Sequence, residues 1–213
     1  MQVLAVPVKT VERAKSRLSP VLTAAERGAL SLIMLEDVLD ACLSQPTWEV
    51  WVVSRDEAAL EIGARRGARP LAEEGRSLLE AVRQVEGEVR GRSSRLGIVL
   101  ADLPFLTAEA LSESLEHEAQ VVAAPADSDG GTNLLVRRPA SVIPARFGRA
   151  SFAKHRWASR RTGVAFVEAR LLELAFDLDR PADLARVLVS GHPCRTRSAC
   201  LEMGLTERLR MRA

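Results

Sequence analysis

Short strand-like segments alternate with segments of helical periodicity along most of this chain, and this alternation strongly limits its possible folds. The three strongest strand segments cover residues 3–8, 49–54 and 96–100, and each is rich in Val, Ile or Leu. Regular alternation of strand and helix favours a right-handed α/β winding around a mostly parallel sheet. The length of 213 residues suits one such domain. We therefore predict a single α/β domain with a mostly parallel central sheet flanked by helices.

Local signals predict the remaining elements. Thr23 and Glu26 have the spacing of a capping box, ahead of a helix that runs to about residue 44. Gly67 is placed to end a helix over residues 57–66, and Pro181 is placed to begin another. Further strands are predicted at 69–71, 121–124, 133–136, 164–167 and 176–178, and further helices at 77–88, 107–118, 149–160 and 171–175. The arginine-rich tail, residues 190–213, is expected to be an exposed C-terminal extension.

Composition argues against several classes of protein. Basic and acidic side chains nearly balance, at 30 and 28, so bulk charge does not favour a nucleic-acid partner. No uncharged apolar run approaches the roughly 18–20 residues of a membrane helix, and the N-terminus lacks the features of a secretory signal. The three cysteines show no CxxC spacing, which indicates a reduced, cytoplasmic chain without a zinc site. We expect neither nucleic acid nor membrane as a partner. An α/β module that binds RNA through surface arginines is the alternative from a different class.

Three cations follow the first predicted strand: Lys9, Lys15 and Arg17. Only three of the 30 basic residues are lysines, and two of those lie in this stretch. In an open α/β sheet, ligands bind beyond the carboxyl ends of the strands. Ammonium and guanidinium groups there suit a polyphosphate, and the absence of glycine from the stretch excludes a Walker loop. The alternative is an ordinary solvated basic loop.

Carboxylates stand at two other places where a predicted strand ends. Asp102 follows the strand at 96–100, while Asp177 and Asp179 alternate along an extended segment and so point to one side. Carboxylates gathered in this way commonly hold a hard cation, and the three together would form a magnesium site. Each group also has a structural alternative. Asp102 could lie in the first turn of a helix, and Asp179 could cap the helix that begins at Pro181.

Two polar turns complete the candidate groups. The first holds a Gly-Gly pair beside Thr132, where backbone can approach a ligand closely and a hydroxyl can donate to an anion. The second combines Gly148 with Ser151 at a predicted helix start, which is a typical cradle for an anion. For His155, one helical turn further on, a structural role in the core or on the helix surface is favoured.

An ordered set of motifs resembles one enzyme family over about residues 1–190. The motifs are PVKxxxxAKSRLS, the turn at Asp102, APxxSDGGTNxL, RFGxxSFxxH and FDLDRPxDL. Together they resemble the guanylyltransferases of coenzyme F420 biosynthesis, which join GTP to 2-phospho-L-lactate or to phosphoenolpyruvate. The resemblance is specific, because general nucleotidyltransferases begin with a glycine-rich loop where this chain has Pro7-Val8-Lys9.

The resemblance implies a nucleotidyltransferase fold of the glycosyltransferase-A kind, with Mg²⁺ as the cofactor. It implies that the metal is held by Asp102, Asp177 and Asp179. It also implies that the GTP phosphates are bound by Lys9, Lys15 and Arg17, and the carboxylate of the phosphorylated acid by Thr132, Gly148 and Ser151. We expect Lys15, Arg17 and Asp102 to be catalytic, through positioning and charge neutralisation.

The sequence leaves the acceptor open, because phosphoenolpyruvate and 2-phospho-L-lactate present the same phosphate and carboxylate. The arginine-rich composition suggests a GC-rich bacterium, in which the resemblance favours phosphoenolpyruvate. The alternative is a nucleotidyltransferase for another small acceptor, such as 3-phosphoglycerate or a sugar phosphate. The family often has a GLN-type turn where this chain reads Gly75-Arg76-Ser77, within residues 71–79, where guanine contacts are expected. The next transferase of the pathway is a candidate partner.

Overall fold

In the computed structural model, which describes residues 1–11, 14–92 and 94–211, seven strands form one sheet. They are β1 (Gln2–Val8), β2 (Glu49–Ser54), β3 (Arg69–Ala72), β4 (Arg95–Val99), β5 (Val121–Pro125), β6 (Thr132–Arg137) and β7 (Phe166–Glu168). Their order across the sheet is β3-β2-β1-β4-β6-β5-β7. Only β6, among these described strands, runs antiparallel to its neighbours. The predicted mostly parallel sheet is confirmed.

Helices cover both faces of this sheet. They are α1 (Ala24–Leu43), α2 (Glu57–Arg66), α3 (Leu78–Val89), α4 (Ala108–Glu116), α5 (Ser151–Thr162), α6 (Leu172–Ala175), α7 (Pro181–Val189), α8 (Arg195–Glu202) and α9 (Leu205–Arg210). Side chains alternate along β1, so that Leu4 and Val6 pack in one core with α1, while Val3 and Ala5 pack in another with α3. Within the described residues, none of these helices is both long and apolar enough to cross a membrane.

Several of the predicted local signals are confirmed. Both hydrogen bonds of the capping box between Thr23 and Glu26 are present at the start of α1. Gly67 ends α2 in the left-handed conformation, at a φ of 93°, and Pro181 lies in the first turn of α7. Each signal depends on contacts within a few residues, which explains why the sequence alone predicts it.

One prediction and one alternative near α7 are wrong. Residues 176–178 join none of the described strands; their backbone donates one hydrogen bond to the turn after β4, from Leu178 N to Asp102 O at 3.0 Å. Asp179 does not cap α7 either. The backbone N–H groups of Asp179 and Arg180 donate to the carboxylate of Asp183, at 3.0 and 2.7 Å, which leaves the side chain of Asp179 free for other partners.

The prediction of an exposed C-terminal extension is also wrong for the described part of residues 190–213. Helices α8 and α9 pack on the body of the domain, and Thr196, Cys200 and Leu205 are fully buried. Asp37, on α1, accepts hydrogen bonds from Arg195 N and Thr196 N at 2.9 Å each. This carboxylate satisfies free N–H groups at the start of α8, and so it anchors the C-terminal segment.

Candidate functional site

A cleft of about 830 Å³ opens where the parallel strands β1 to β4 end. We call it the strand-end cleft. Five of the predicted site residues line it: Lys9, Lys15, Arg17, Asp102 and Asp179. Lys9 follows β1 and Asp102 follows β4, which are neighbouring strands, so both lie at the edge where the carboxyl-end rule places ligands. Glu12 and Arg13, which belong to the predicted basic stretch, lie outside the described residues.

Lys15 connects the two acidic segments of the cleft. Its Nζ lies 2.6 Å from Asp102 Oδ2 and 3.1 Å from Asp179 Oδ1. The side chain is only 8% exposed, and its backbone adopts a left-handed φ of 50°, which is uncommon for a residue other than glycine. Arg17 adds a bond of 2.8 Å from Nη1 to Asp179 Oδ2, but its side chain is 60% exposed. Lys15 is therefore the buried cation of the site, and Arg17 the peripheral one.

The charges of these groups shift one another's pKa values. Burial would lower the pKa of Lys15, but the charges of Asp102 and Asp179 outweigh it and raise that pKa. Burial would raise the pKa of Asp179, but Lys15 and then Arg17 hold it below its ordinary value. For Asp177, burial and then the charge of Asp102 outweigh the opposing effects of Ser128 and Lys15 and raise the pKa to about 6. Additional positive charge would therefore favour the fully ionised cluster.

Backbone contacts explain how Asp177 and Asp179 reach Asp102. The bond from Leu178 N to Asp102 O holds the middle residue of the acidic segment against the turn after β4. Asn133, buried on β6, donates from its side chain to Leu174 O at 2.9 Å and Ala175 O at 3.3 Å, just ahead of that segment. Ser128 donates to the carboxylate of Asp177 at 3.0 Å. Backbone contacts thus bring the acidic segment to Asp102, and Ser128 then fixes the carboxylate of Asp177.

These carboxylates suit a hard cation, although they do not form a ready-made cage. Across the described residues, no three His, Cys, Asp or Glu side chains are arranged as a metal site. The ammonium of Lys15 lies between Asp102 and Asp179, at the place where a cation would bind both. Asp102 Oδ1 is buried and accepts no hydrogen bond from the described residues, so its lone pairs are available to a ligand. An unpaired carboxylate oxygen beside two more carboxylates fits the donor preference of Mg²⁺.

The residues predicted to hold the acid's carboxylate also lie together, and none of them lines the strand-end cleft. The cleft residue Asp129 accepts a hydrogen bond from Gly131 N at 2.7 Å, directly before Thr132. Ser151 Oγ is 2.9 Å from Thr132 Oγ1, and both side chains are buried. Gly148 O accepts a bond from Ser151 N at 3.0 Å. Gly148 has a φ of 110°, which confirms that its backbone angle requires glycine, and a Cβ there would meet no heavy atom within 4 Å. Their role towards a ligand stays a prediction.

His155 completes that buried group and confirms the structural interpretation of this residue. Its Nε2 accepts from Arg146 N at 2.9 Å, so in the neutral ring the proton is on Nδ1, which lies 3.1 Å from Thr132 Oγ1. Burial first, and then the charges of Arg137 and Arg146, lower the pKa of His155 to about 4. The histidine therefore donates to Thr132 as a neutral group at physiological pH.

This shifted pKa predicts a pH-dependent stability. The unfolded chain protonates His155 near pH 6.5, whereas the folded chain resists protonation down to about pH 4. Stability is therefore lost as the pH falls through this window, by roughly 3 kcal/mol at about 1.36 kcal/mol per pKa unit. Thermal unfolding of wild type and His155→Gln between pH 7 and 4 measures this. We expect a shallower pH slope in the variant and a wild-type slope in the control His117→Gln, which changes an exposed histidine. Equal slopes in all three proteins would contradict the prediction.

Further residues line the other end of the strand-end cleft. Glu73, Arg76 and Ser77 follow β3 and fall within residues 71–79, where guanine contacts are expected; that role stays a prediction. Asp129, from the loop between β5 and β6, also lines the cleft. Sequence reasoning missed Arg55, which follows β2, and the signal that could have found it is the carboxyl-end rule applied to that strand.

Solved structures show the same fold. A nucleotidyl transferase from Methanothermobacter thermautotrophicus matches with a TM-score of 0.62 and 16% identity, covering 87% of this chain and 95% of that one. A Desulfovibrio desulfuricans G20 chain attributed to a nucleotide-diphospho-sugar transferase matches with a TM-score of 0.80 and 18% identity, covering 99% of this chain and 98% of that one. The fold, with its polar cleft at the strand ends, is that of the nucleotidyltransferases.

Sequence relatives narrow this class. The phosphoenolpyruvate guanylyltransferase of Sphaerobacter thermophilus is 40% identical over 88% of this chain and 91% of its own length. The 2-phospho-L-lactate guanylyltransferase of Methanothermobacter thermautotrophicus is 34% identical over 94% of this chain and 90% of its own length. The chain belongs to the guanylyl transferase CofC like family, which it matches over residues 1–210.

Proposed function

We propose that this protein transfers GMP from GTP to phosphoenolpyruvate or 2-phospho-L-lactate and releases pyrophosphate, as a step of coenzyme F420 biosynthesis. The observation that carries the proposal is the cluster of Lys15 with Asp102 and Asp179 in the strand-end cleft. Relatives named as guanylyltransferases for these two acids support the substrates. We place the reaction in the cytoplasm, where GTP is made, and the free state of all three cysteines agrees with that.

The reaction needs no covalent enzyme intermediate. A phosphate oxygen of the acceptor attacks the α-phosphorus of GTP and forms the new P–O bond, while the bond to the bridging oxygen of the β-phosphate breaks. Pyrophosphate leaves with the electron pair of that bond. The acceptor phosphate is already ionised at neutral pH, so no side chain must remove a proton. Catalysis then depends on positioning and on neutralising charge.

The side chains of the strand-end cleft supply both effects. Lys9, Lys15 and Arg17 bind the triphosphate, with the buried ammonium of Lys15 as the strongest local cation. Lys15 can exchange its contacts with Asp102 and Asp179 for phosphate oxygens, because an ammonium on a flexible stem is a mobile point charge. Asp102 and Asp179 position the ammonium of Lys15 near the α-phosphate, where the acceptor phosphate attacks and pyrophosphate leaves.

We propose Asp102, Asp177 and Asp179 as the residues that hold Mg²⁺. The support is the unpaired Oδ1 of Asp102 and the raised pKa of Asp177, which burial and the charge of Asp102 cause. When bound, Mg²⁺ neutralises phosphate charge and aligns the reacting oxygens. A neighbouring positive charge lowers the pKa of Asp177, which couples the protonation of this carboxyl to the charge of the cleft.

We propose that Thr132, Gly148 and Ser151 bind the carboxylate of the acceptor. Thr132 Oγ1 accepts one hydrogen bond from Nδ1–H of His155 and one from the hydroxyl of Ser151. Two hydroxyl protons are available, so one of them is not used by any hydrogen bond among the described residues. This spare donor, next to the start of α5, suits an anion.

Replacing Thr132 tests this acceptor site. Thr132→Val keeps the shape but removes the oxygen that pairs with His155 and Ser151. We expect a higher KM for the acid, unchanged GTP affinity, and a loss of roughly 1–3 kcal/mol in stability from unpaired buried groups. Steady-state kinetics and thermal unfolding measure these effects, with Thr162→Val as the control because that exposed hydroxyl bonds only to its own helix. A lower melting temperature with an unchanged KM would reduce Thr132 to a structural role.

The experiment for the whole proposal measures pyrophosphate release. The protein is incubated with Mg²⁺, one of GTP, ATP, CTP or UTP, and one of phosphoenolpyruvate, 2-phospho-L-lactate or 3-phosphoglycerate. We expect release with GTP and one of the first two acids. The product is expected to be labile, and we propose the next transferase of F420 biosynthesis as the partner that takes it up, so coupling to that enzyme supports the assay. Release with another nucleotide or only with 3-phosphoglycerate would contradict the proposal.

A further inference from the structure

Two phenylalanine rings stack on one another where the acidic segment of residues 177–179 meets the turn after β4. The rings of Phe105 and Phe176 have centroids 4.7 Å apart and planes 19° from parallel. The guanidinium carbon of Arg186, on α7, lies 4.4 Å from the centroid of the Phe176 ring, and His192 contacts Phe105 edge-on at 5.3 Å. Phe176 is buried and packs in a core with Leu184 of α7. This phenylalanine stack is therefore held by contacts on both of its sides.

Each ring of the phenylalanine stack belongs to a segment that carries a proposed magnesium ligand. Phe105 lies three residues beyond Asp102, in the turn after β4, and Phe176 lies directly before Asp177. Because these connections along the chain are short, a displacement of either ring also displaces the neighbouring carboxylate. The phenylalanine stack thus joins two carboxylate-bearing segments that are distant in the sequence.

Two polar contacts also join these segments, but they leave the angle between the segments open. The ammonium of Lys15 bonds to Asp102 and Asp179, and the proposed reaction exchanges those bonds for phosphate oxygens. The backbone bond from Leu178 N to Asp102 O, at 3.0 Å, fixes one distance, and the segments can still rotate about it. A second point of contact, at Phe176, fixes the angle as well. The phenylalanine stack supplies that contact whether or not Lys15 is engaged by phosphate.

The angle between the segments affects which cation their carboxylates fit. Mg²⁺ demands near-octahedral oxygen ligands at about 2.0–2.1 Å, whereas Ca²⁺ accepts a more flexible set at about 2.3–2.6 Å. Rigidly placed carboxylates therefore favour the smaller cation. We propose that Phe105 is a positioning residue whose ring, stacked on Phe176, sets the angle at which the acidic segment faces Asp102 and makes the site selective for Mg²⁺ over Ca²⁺. This inference rests on the proposed function, because it assumes that the aspartates hold the metal.

The test compares the two cations on variants of Phe105. Titration calorimetry measures the affinity for GTP, without an acceptor acid, over a range of Mg²⁺ or Ca²⁺ concentrations. Phe105→Leu keeps an apolar side chain but has no ring, whereas Phe105→Tyr keeps the ring. In Phe105→Leu we expect the Mg²⁺ concentration for half of the gain in affinity to rise about tenfold to a hundredfold, as when an outer-shell partner of a metal is lost. The Ca²⁺ concentration should change much less, and Phe105→Tyr should behave as wild type.

Phe166→Leu is the matched control for the loss of an aromatic contact. Phe166, on β7, pairs edge to face with Phe152, with 5.7 Å between the ring centroids, in a different core. Neither of these rings lines the strand-end cleft. Each Leu variant loses one aromatic pair, so thermal unfolding should show similar losses of stability, while only Phe105→Leu changes the cation preference. Phe176→Leu removes the other ring of the phenylalanine stack and should change the preference in the same direction.

The outcomes separate this inference from the proposed function. A wild-type preference for Mg²⁺ over Ca²⁺ in Phe105→Leu and Phe176→Leu would overturn the role of the phenylalanine stack and leave guanylyl transfer intact. An equal change in Phe166→Leu, or in Phe105→Tyr, would also overturn it, because stacking would then not be the cause. If GTP affinity of the wild type depends on neither cation, the inference fails together with the metal assignment. Pyrophosphate release from GTP and the acid then shows whether guanylyl transfer itself stands.

Discussion

Asp102→Asn is expected to keep the fold and to slow pyrophosphate release by roughly a hundredfold to a thousandfold, the range seen when one preorganised electrostatic group is lost. The amide preserves the shape of the side chain but removes the charge that faces Lys15 at 2.6 Å. An amide is also a weaker ligand for a cation than the carboxylate, whose Oδ1 has no hydrogen-bond partner among the described residues. The loss should therefore persist at saturating Mg²⁺.

Two measurements make this prediction testable. Thermal unfolding must show that Asp102→Asn is folded, and pyrophosphate release is then compared with wild type over a range of Mg²⁺ concentrations. Asp40→Asn is the control, because that exposed aspartate pairs with Arg66 and Arg195 outside the strand-end cleft. Turnover comparable to wild type in Asp102→Asn would disprove the role of this carboxylate in charge neutralisation and in metal binding.

Local sequence signals predicted much of the fold because they act over short distances. The predicted strand at 49–54 has the bounds of β2, since a run rich in β-branched residues needs only a partner on each side. The wrong strand at 176–178 has a similar local pattern, but the sheet offers it a single hydrogen bond to the turn at Asp102. The packing of the C-terminal helices depends on Asp37, about 158 residues earlier in the chain, and no local pattern indicates that partner.

The candidate site shows the same limit. The carboxyl-end rule predicts that Lys15 and Asp102 lie near one another, since they follow the neighbouring strands β1 and β4, but not that the ammonium lies between Asp102 and Asp179. Those contacts join residues that are 87 and 164 positions apart. The pairing of Thr132 with Ser151 is equally non-local, because it depends on how α5 packs against β6. Sequence motifs therefore indicate which side chains belong to the site, while the fold determines which of them form ion pairs and hydrogen bonds with one another.

Replacing Lys15 should have a larger effect than replacing Arg17, although both carry one positive charge. Lys15 contacts two carboxylates and is 8% exposed, whereas Arg17 contacts one and is 60% exposed. Lys15→Met keeps an unbranched stem but leaves Asp102, Asp177 and Asp179 without their buried cation. We expect a loss of roughly 1–3 kcal/mol in stability without Mg²⁺, against about 0–1 kcal/mol for Arg17→Met.

Lys15 has two expected roles: its charge compensates the carboxylates, and it binds the triphosphate. Measurements with Mg²⁺ test the first role, and measurements with GTP test the second. Mg²⁺ should raise the melting temperature of Lys15→Met more than that of wild type, because the uncompensated carboxylates gain a cation. GTP should bind Lys15→Met about tenfold to a hundredfold more weakly, since one charge-assisted contact to phosphate is lost. Lys154→Met is the control, because the one hydrogen bond of that exposed lysine within the described residues goes to the backbone of Arg149. Wild-type GTP affinity in both Lys15→Met and Arg17→Met would show that the basic segment after β1 is only a solvated loop. An unchanged response to Mg²⁺ would show that Lys15 and the metal do not share the carboxylates of Asp102 and Asp179.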